Sequence, residues 1–209
     1  MYQIHGIGFA ANTTKILYVA EALGLEYEFI DVDLSTGAHK TPEHLKRHPL
    51  GKLPTLTHDD KTLFESNAIC SYLANVEGSA LYPSGDHYQC ALVEQWLAFF
   101  TNHVGRWLTS YFFETVIREK LGLGDKDEKA VAEALGFLVQ QLPALEERLQ
   151  VSAFLTGEQK TIADYVAYAY LESTDDSGYS LSDYPTLKKW YQAFKSDPAI
   201  LAAQKKLAA

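Results

Sequence analysis

Over the first third of the chain the hydrophobic positions switch repeatedly between a two-residue and a 3.6-residue period; beyond it they keep only the helical one. Tyr2 to Ile7 reads as a strand, closed by Gly6 and Gly8. Ile16, Leu17, Ala20 and Leu23 then share one helix face, and Gly24 is placed to end that helix. Tyr27, Phe29, Ile30, Val32 and Leu34 put apolar side chains on both faces of a second strand, the pattern expected of a strand buried on both sides in a βαβ unit. Thr41-Pro42-Glu43 combines an N-cap, a proline at the first helical position and a first-turn acid. Thr55 to Thr57 and Thr62 to Phe64 flank Asp59-Asp60 as an antiparallel hairpin. Glu65 to Val76 follows as a helix, with Ala68, Ile69, Tyr72 and Leu73 spaced for packing. The predicted order is β-α-β-α-β-β-α.

A Gly-, Ser- and Pro-rich stretch from Gly78 to Asp86 separates this part from helical patterns only. One long helix is predicted from Tyr88 to Glu119 and a second from Glu128 to Gln150, which Pro143 should kink or interrupt. A third opens at Thr161-Ile162-Ala163-Asp164, a capping box with Asp in place of the usual Glu or Gln. Two more open at Tyr184-Pro185 and Asp197-Pro198. The expected division is a domain over 1–77, a linker over 78–86 and an all-helical domain over 87–209.

Composition narrows the function. The 209 residues are 47% hydrophobic, enough for a sizeable core, and the net charge of −9 argues against a broad nucleic-acid or anionic-membrane face. No apolar run approaches the ~18 residues of a membrane span. The first helix region is broken by Asn12 and Lys15 and has no basic leader before it, so no signal peptide is read there and a cytoplasmic setting is expected. Cys70 and Cys90 are too few for a disulfide scaffold and read as packing thiols. His44 and His48 stand four apart, but Pro49 ends their helix and nothing completes a ligand set with His39, so no metal is expected. Gly6-Ile7-Gly8-Phe9-Ala10-Ala11 matches a dinucleotide fingerprint, with Asp31 and Asp33 downstream. That reading needs several more parallel strands, and no convincing strand follows Phe64.

The richest segment is His48-Pro49-Leu50-Gly51-Lys52-Leu53-Pro54-Thr55-Leu56, followed by Glu65-Ser66-Asn67. Proline at the opening of a strand belongs at an edge or bulge. A cis Leu53-Pro54 bond would turn the Leu53 amide and carbonyl outward, where they can pair with an extended peptide. Glu65-Ser66 at a helix start offers backbone N–H groups, a hydroxyl and a positive dipole end, a natural seat for a carboxylate. His39, Lys40 and Lys52 add positive charge. A small peptide-like anion with two carboxylates fits this set.

The run Gly37-Ala38-His39-Lys40-Thr41-Pro42-Glu43-His44-Leu45, then His48 to Pro54, then Glu65-Ser66, resembles the glutathione transferases, closest to the phi-like and related bacterial branches. Leu81-Tyr82-Pro83, Phe154-Leu155-Thr156-Gly157 and Thr161 to Tyr165 agree, so the resemblance covers essentially the whole chain. It implies an α/β thioredoxin-like N-terminal domain, an all-α C-terminal domain, a homodimer, and glutathione as co-substrate at the first domain. His39, Lys40 and Lys52 would face the glycyl carboxylate. Leu53 would make two main-chain bonds to the cysteinyl unit, held by Pro54, and Glu65 and Ser66 would take the γ-glutamyl end. His48-Pro49 stands where Asn-Pro is usual. The phi-like serine that steadies the thiolate aligns with Ala10, as does the beta-class cysteine, and the theta-like serine aligns with Ala11. The remaining candidates are Asn12, aligned with an asparagine of the nu-like branch, and Thr13; Asn12 can also be read as a plain N-cap.

Three functions follow from this resemblance: conjugation of glutathione to small hydrophobic electrophiles, reduction of disulfides or peroxides as in the nu-like branch, and non-enzymatic glutathione binding. An apolar co-substrate would meet Phe9, Phe100, His103, Trp107 and Tyr111, expected between the domains with Phe99. A stripe at that spacing reads equally well as core.

Overall fold

The computed structural model describes residues 1–208, which divide into two compact units, one of Met1–Ser84 with the segment from Asp197 onward, the other of Gly85–Ser196. In the first unit the order is β1 (Tyr2–Gly6), α1 (Ala11–Ala22), β2 (Tyr27–Asp31), α2 (Pro42–Arg47), β3 (Thr55–His58), β4 (Lys61–Phe64) and α3 (Ser66–Val76). Two short 3-10 turns, Leu34–Thr36 and Ala38–Lys40, precede α2. The sheet runs β2-β1-β3-β4, with β1 parallel to β2 and antiparallel to β3, and β4 antiparallel to β3. A thioredoxin-like α/β unit was expected, and this is its topology.

The strands between neighbours are β1 and β3; β2 lies at the sheet edge with Glu28 and Asp31 exposed and its apolar residues half-buried. The expectation that β2 is covered on both sides is therefore corrected: apolar side chains on both faces do not distinguish an edge strand from a central one. α1 and α3 pack together, burying Ile16, Leu17, Val19 and Ala20 with Ile69, Cys70, Leu73 and Ala74. The last helix, α11 (Pro198–Leu207), packs on α1. Its Lys206 meets Glu21 at 2.5 Å and lies over the Tyr27 ring, whose hydroxyl donates to the same carboxylate at 2.7 Å.

The second unit is helical: α4 (His87–Asn102), α5 (Val104–Phe112), α6 (Arg118–Lys120), α7 (Glu128–Val151), α8 (Ile162–Leu171), α9 (Ser173–Ser177) and α10 (Pro185–Phe194). The single helix expected from Tyr88 to Glu119 is broken at His103, whose φ of −124° and ψ of −104° lie outside the helical region, and it widens into a π-turn over Phe113–Ile117. Glu114 in that turn takes Arg118 through two bonds and accepts the Asp127 N–H, which ties the turn to the start of α7. α7 runs through Pro143 without interruption. The carbonyl freed by the missing N–H belongs to Val139, an exposed residue, so solvent can satisfy it. Glu146 of α7 accepts Thr186 N–H at 3.1 Å and Leu187 N–H at 2.8 Å, capping α10 from another helix. Burial opposes its charge, but these donors prevail and hold its pKa below the ordinary carboxylate value.

The capping box at α8 is present, with Asp164 completely buried. Its carboxylate accepts Leu155 N–H at 3.0 Å, Thr161 N–H at 2.8 Å and the Thr161 hydroxyl at 3.2 Å. Burial nevertheless raises its pKa from 3.8 to about 6. Asp164→Ala should cost about 3 kcal/mol or more, because each buried donor left unpaired costs about 1–3 kcal/mol, and should lower Tm by about 2–4 °C per kcal/mol in a chain of this size. A raised carboxyl pKa means the folded state holds its proton more tightly than the unfolded chain. Wild type should then lose stability as pH rises from about 4 to about 6, by at most about 3 kcal/mol. Asp164→Asn, with no proton to release, should lack that component when the two stability–pH curves are subtracted. Superimposable slopes would contradict the assignment.

Candidate functional site

The sheet register gathers the expected site residues of the first unit at one end. His5 pairs with Thr55, and Thr55 with Phe64. The exit of β1, the entry of β3 and the exit of β4 are thus adjacent, and with them the starts of α1 and α3 and the residues before Thr55. The Leu53–Pro54 peptide is cis. Ahead of it the chain turns at Gly51, with φ of +61°; a Cβ there would lie 2.5 Å from the His39 carbonyl oxygen. Only glycine permits that approach, which brings the 38–40 turn against the 48–53 loop. Lys40 Nζ donates to Leu50 O at 3.0 Å, and His44 Nε2 bonds Lys52 O at 2.9 Å. His39 lies in the same place, its Nδ1 buried with no hydrogen-bond partner among the described residues. Lys52 and Glu65 are exposed.

Both helices that open at this end lack a side-chain cap. The α1 N-cap is Ala10, so Asn12 is not the cap but stands in the first turn. The α3 N-cap is Glu65, held at φ of +69°, a left-handed backbone that a non-glycine residue adopts at a cost of about 1–3 kcal/mol. First-turn N–H groups and the dipole ends therefore point to an anion rather than to a capping side chain. Two bonds brace the helices across their starts: Ser66 Oγ donates to Asn12 Oδ1 at 3.3 Å, and one turn deeper Lys15 Nζ donates to Asn67 Oδ1 at 2.7 Å.

Lys15 is 0% exposed. Burial lowers its pKa from 10.5 to about 8, while Cys70 and Glu65 pull the other way. Its charge thus adds to two positive helix ends. Sequence reasoning missed Lys15 and Asn67 as a pair. The available signal was a lone lysine one turn after Asn12, inside a run of core residues from Thr13 to Ala20. Thr13 turns the other way. Its hydroxyl accepts Ile7 N–H at 3.1 Å, its own N–H goes to Ala10 O at 2.7 Å, and its side chain packs against Gly6, where any Cβ would clash at 2.4 Å.

The apolar set is distributed by packing. Phe9, beside the start of α1, is 63% exposed. In the helical unit Phe100 is fully buried and stacks on Tyr170, Trp107 stacks on Phe137 at 4.2 Å, and Tyr111 meets Tyr179 edge-on. His103 is exposed at the break between α4 and α5. Phe100 is thus a core residue, and Trp107 is engaged on the α5–α7 seam. Among the described residues no group of three or more His, Cys, Asp or Glu could hold a metal, and no helix is long and apolar enough to cross a membrane.

Comparison with known proteins places this geometry. Residues 2–75 match the family described as Glutathione S-transferase, N-terminal domain, and residues 95–198 match Glutathione S-transferase, C-terminal domain. The chain is 33% identical to a probable glutathione S-transferase of Oryza sativa subsp. japonica over 94% of its length and 93% of the relative's, and 31% identical to glutathione S-transferase 1 of Zea mays over 95% and 93%. Among solved structures it is similar to glutathione S-transferase I bound with lactoylglutathione (TM-score 0.90, 30% identity, 97% of each chain). It is also similar to glutathione S-transferase I from mais with an atrazine glutathione conjugate (TM-score 0.91, 29% identity, 99% and 98% of the two chains). With both parts of its length matched and a relative one-third identical from end to end, the chain belongs to the glutathione S-transferase family.

Proposed function

We propose that the protein is a glutathione transferase that joins the glutathione sulfur to small hydrophobic electrophiles. The observation that carries this reading is the pair of helix starts without side-chain caps, braced by Ser66 and Asn12, at the sheet end that also holds Leu53–Pro54. Glutathione would extend along the Leu53 main chain with its γ-glutamyl carboxylate at Glu65 and Ser66 and its glycyl carboxylate at His39, Lys40 and Lys52. The thiol would point to the start of α1, where Phe9 offers an apolar surface to the electrophile. Residues 1–77 would form the glutathione domain, 78–86 the linker and 87–209 the helical domain, whose last helix, α11, packs back on α1 of the first compact unit, in a cytoplasmic homodimer.

The chemistry required is deprotonation of the thiol. A free thiol of pKa about 8.5 is only a few per cent thiolate at pH 7, and each unit of lowering corresponds to about 1.4 kcal/mol. The dipole end of α1 supplies about 0.3–1 kcal/mol. Ala10 and Ala11 have no side-chain donor, so the Asn12 amide is assigned the anchoring bond. That asparagine also supports a second reading, a nu-like disulfide or peroxide reductase. Aryl-halide conjugation assayed beside reduction of a mixed disulfide separates the two, and silence in both with intact glutathione binding would leave a binding protein.

Three substitutions test the placement. Ser66→Ala should weaken glutathione by about 1.5–3 kcal/mol, the range for a hydrogen bond to a charged group; unchanged calorimetric affinity would remove Ser66 from the γ-glutamyl seat. Asn12→Ala should raise the pKa of the bound thiol, read from its thiolate absorbance, and an unaltered titration would return the anchor to the backbone. Lys15→Met should act on two properties in opposite directions. It removes a charge whose pKa burial lowers from 10.5 to about 8, so the folded state opposes that charge at pH 7, and so should raise Tm. It also removes positive charge from the site, and so should raise the bound thiol's pKa. A variant that lost stability and kept the thiol pKa would make Lys15 purely structural.

A further inference from the structure

Two buried histidines, His44 in α2 and His48 at its C-cap, hold the loop that leads to Leu53, and they do so with opposite hydrogen-bond roles. His44 Nε2 faces the Lys52 carbonyl, an acceptor, so it must donate. That bond survives whether the ring is neutral or charged. His48 Nδ1 accepts the Leu50 N–H at 3.1 Å, which requires a bare lone pair. The main chain of His48 closes the same turn: its N–H donates to His44 O and its carbonyl accepts Gly51 N–H, each at 2.9 Å. The ring is 4% exposed and lies 4.8 Å from the Phe64 ring. One side chain thereby folds the chain over Pro49 and sets the course of Leu50 to Leu53.

We propose that His48 is a proton-sensitive positioning residue: with Nδ1 unprotonated it holds the Leu50–Leu53 loop in the shape that pairs with a peptide main chain, and protonation releases that loop. The inference rests on the reading that glutathione pairs with Leu53. The charged and titratable groups facing His48 are Glu65, which favours its protonation, and His44 and Lys52, which oppose it; Lys40 sits on the Leu50 carbonyl. Burial is the largest influence, and the pKa lies below the ordinary 6.5. The unprotonated ring therefore predominates above about pH 6.5, and the loop is released as pH falls through His48's own, lower pKa. An asparagine at this position makes the same short turn bond through its side-chain oxygen and has no proton to gain. His48 in place of Asn thus converts a fixed turn into a titratable one.

The test has two arms. In ligand-free wild type, nitrogen NMR should show His48 Nδ1 unprotonated at pH 7.5, and the Leu50 amide should shift and lose exchange protection with the same midpoint as the ring. In the second arm S-methylglutathione, whose thioether cannot ionise, is titrated calorimetrically from pH 7.5 to 5 against wild type and His48→Asn. Wild type should weaken about 3- to 10-fold, matching the loss of one hydrogen bond, while His48→Asn should stay within about twofold. Every other pH-dependent contribution to binding is common to both proteins. A Leu50 amide that ignores the His48 titration, or parallel pH profiles in the two proteins, would overturn the proposal. Failure of S-methylglutathione to bind at pH 7.5 would count against the glutathione reading, and the ligand-free NMR arm would still decide the switch.

Discussion

The first unit depends on keeping two positively polarised helix ends and one buried ammonium group close together. α1 and α3 start side by side, without capping side chains, and Lys15 is held beneath them on Asn67. Left to themselves these groups repel. The apolar seam of Ile16, Leu17, Ile69 and Leu73 below them supplies the opposing free energy, at about 25 cal/mol per Å² of apolar surface buried. The result is a fixed positive potential that needs no rearrangement when an anion arrives, the preorganisation that makes electrostatic stabilisation effective. Much of the rest serves this arrangement: Thr13 staples Ile7 to the first turn of α1, and the strained Glu65 backbone turns the chain from β4 directly into α3.

Loop chemistry completes the frame by fixing main chain rather than side chains. Leu53 is placed by carbonyl and amide bonds from Lys40, His44 and His48, three side chains from two neighbouring elements. A site that pairs with a peptide through its backbone gains affinity from such placement, while specificity comes from the side chains around it.

Much of this was legible in the residues. Thr41-Pro42-Glu43, Asp197-Pro198 and Thr161 with Asp164 announce helix starts because capping is local chemistry, and each helix begins there. The cis Leu53–Pro54 bond also agrees with the sequence reading, and Gly51 brings the 38–40 turn against the loop before it. The failures share a cause. The edge position of β2, the break at His103 and the π-turn at Phe113–Ile117 are decided by tertiary neighbours, which no local period encodes. Phe100 and Trp107 were ambiguous for the same reason: a stripe at helical spacing marks a covered face without saying what covers it. Lys15 escaped because a charged residue in an apolar run reads as a solvated interruption, whereas here it is among the most deeply buried side chains.

The return of α11 to the first unit makes that unit discontinuous along the chain. The groups that clamp it, Lys206 on Glu21 and Tyr27, are separated by nearly the full length of the polypeptide. During synthesis, which proceeds at about 5–20 residues per second, α1 would emerge early and then wait for most of the remaining chain to be made. Throughout that interval the face of α1 that later receives Ile200 and Ala203 has no partner from its own unit. The first unit to be translated is thus among the last to be finished.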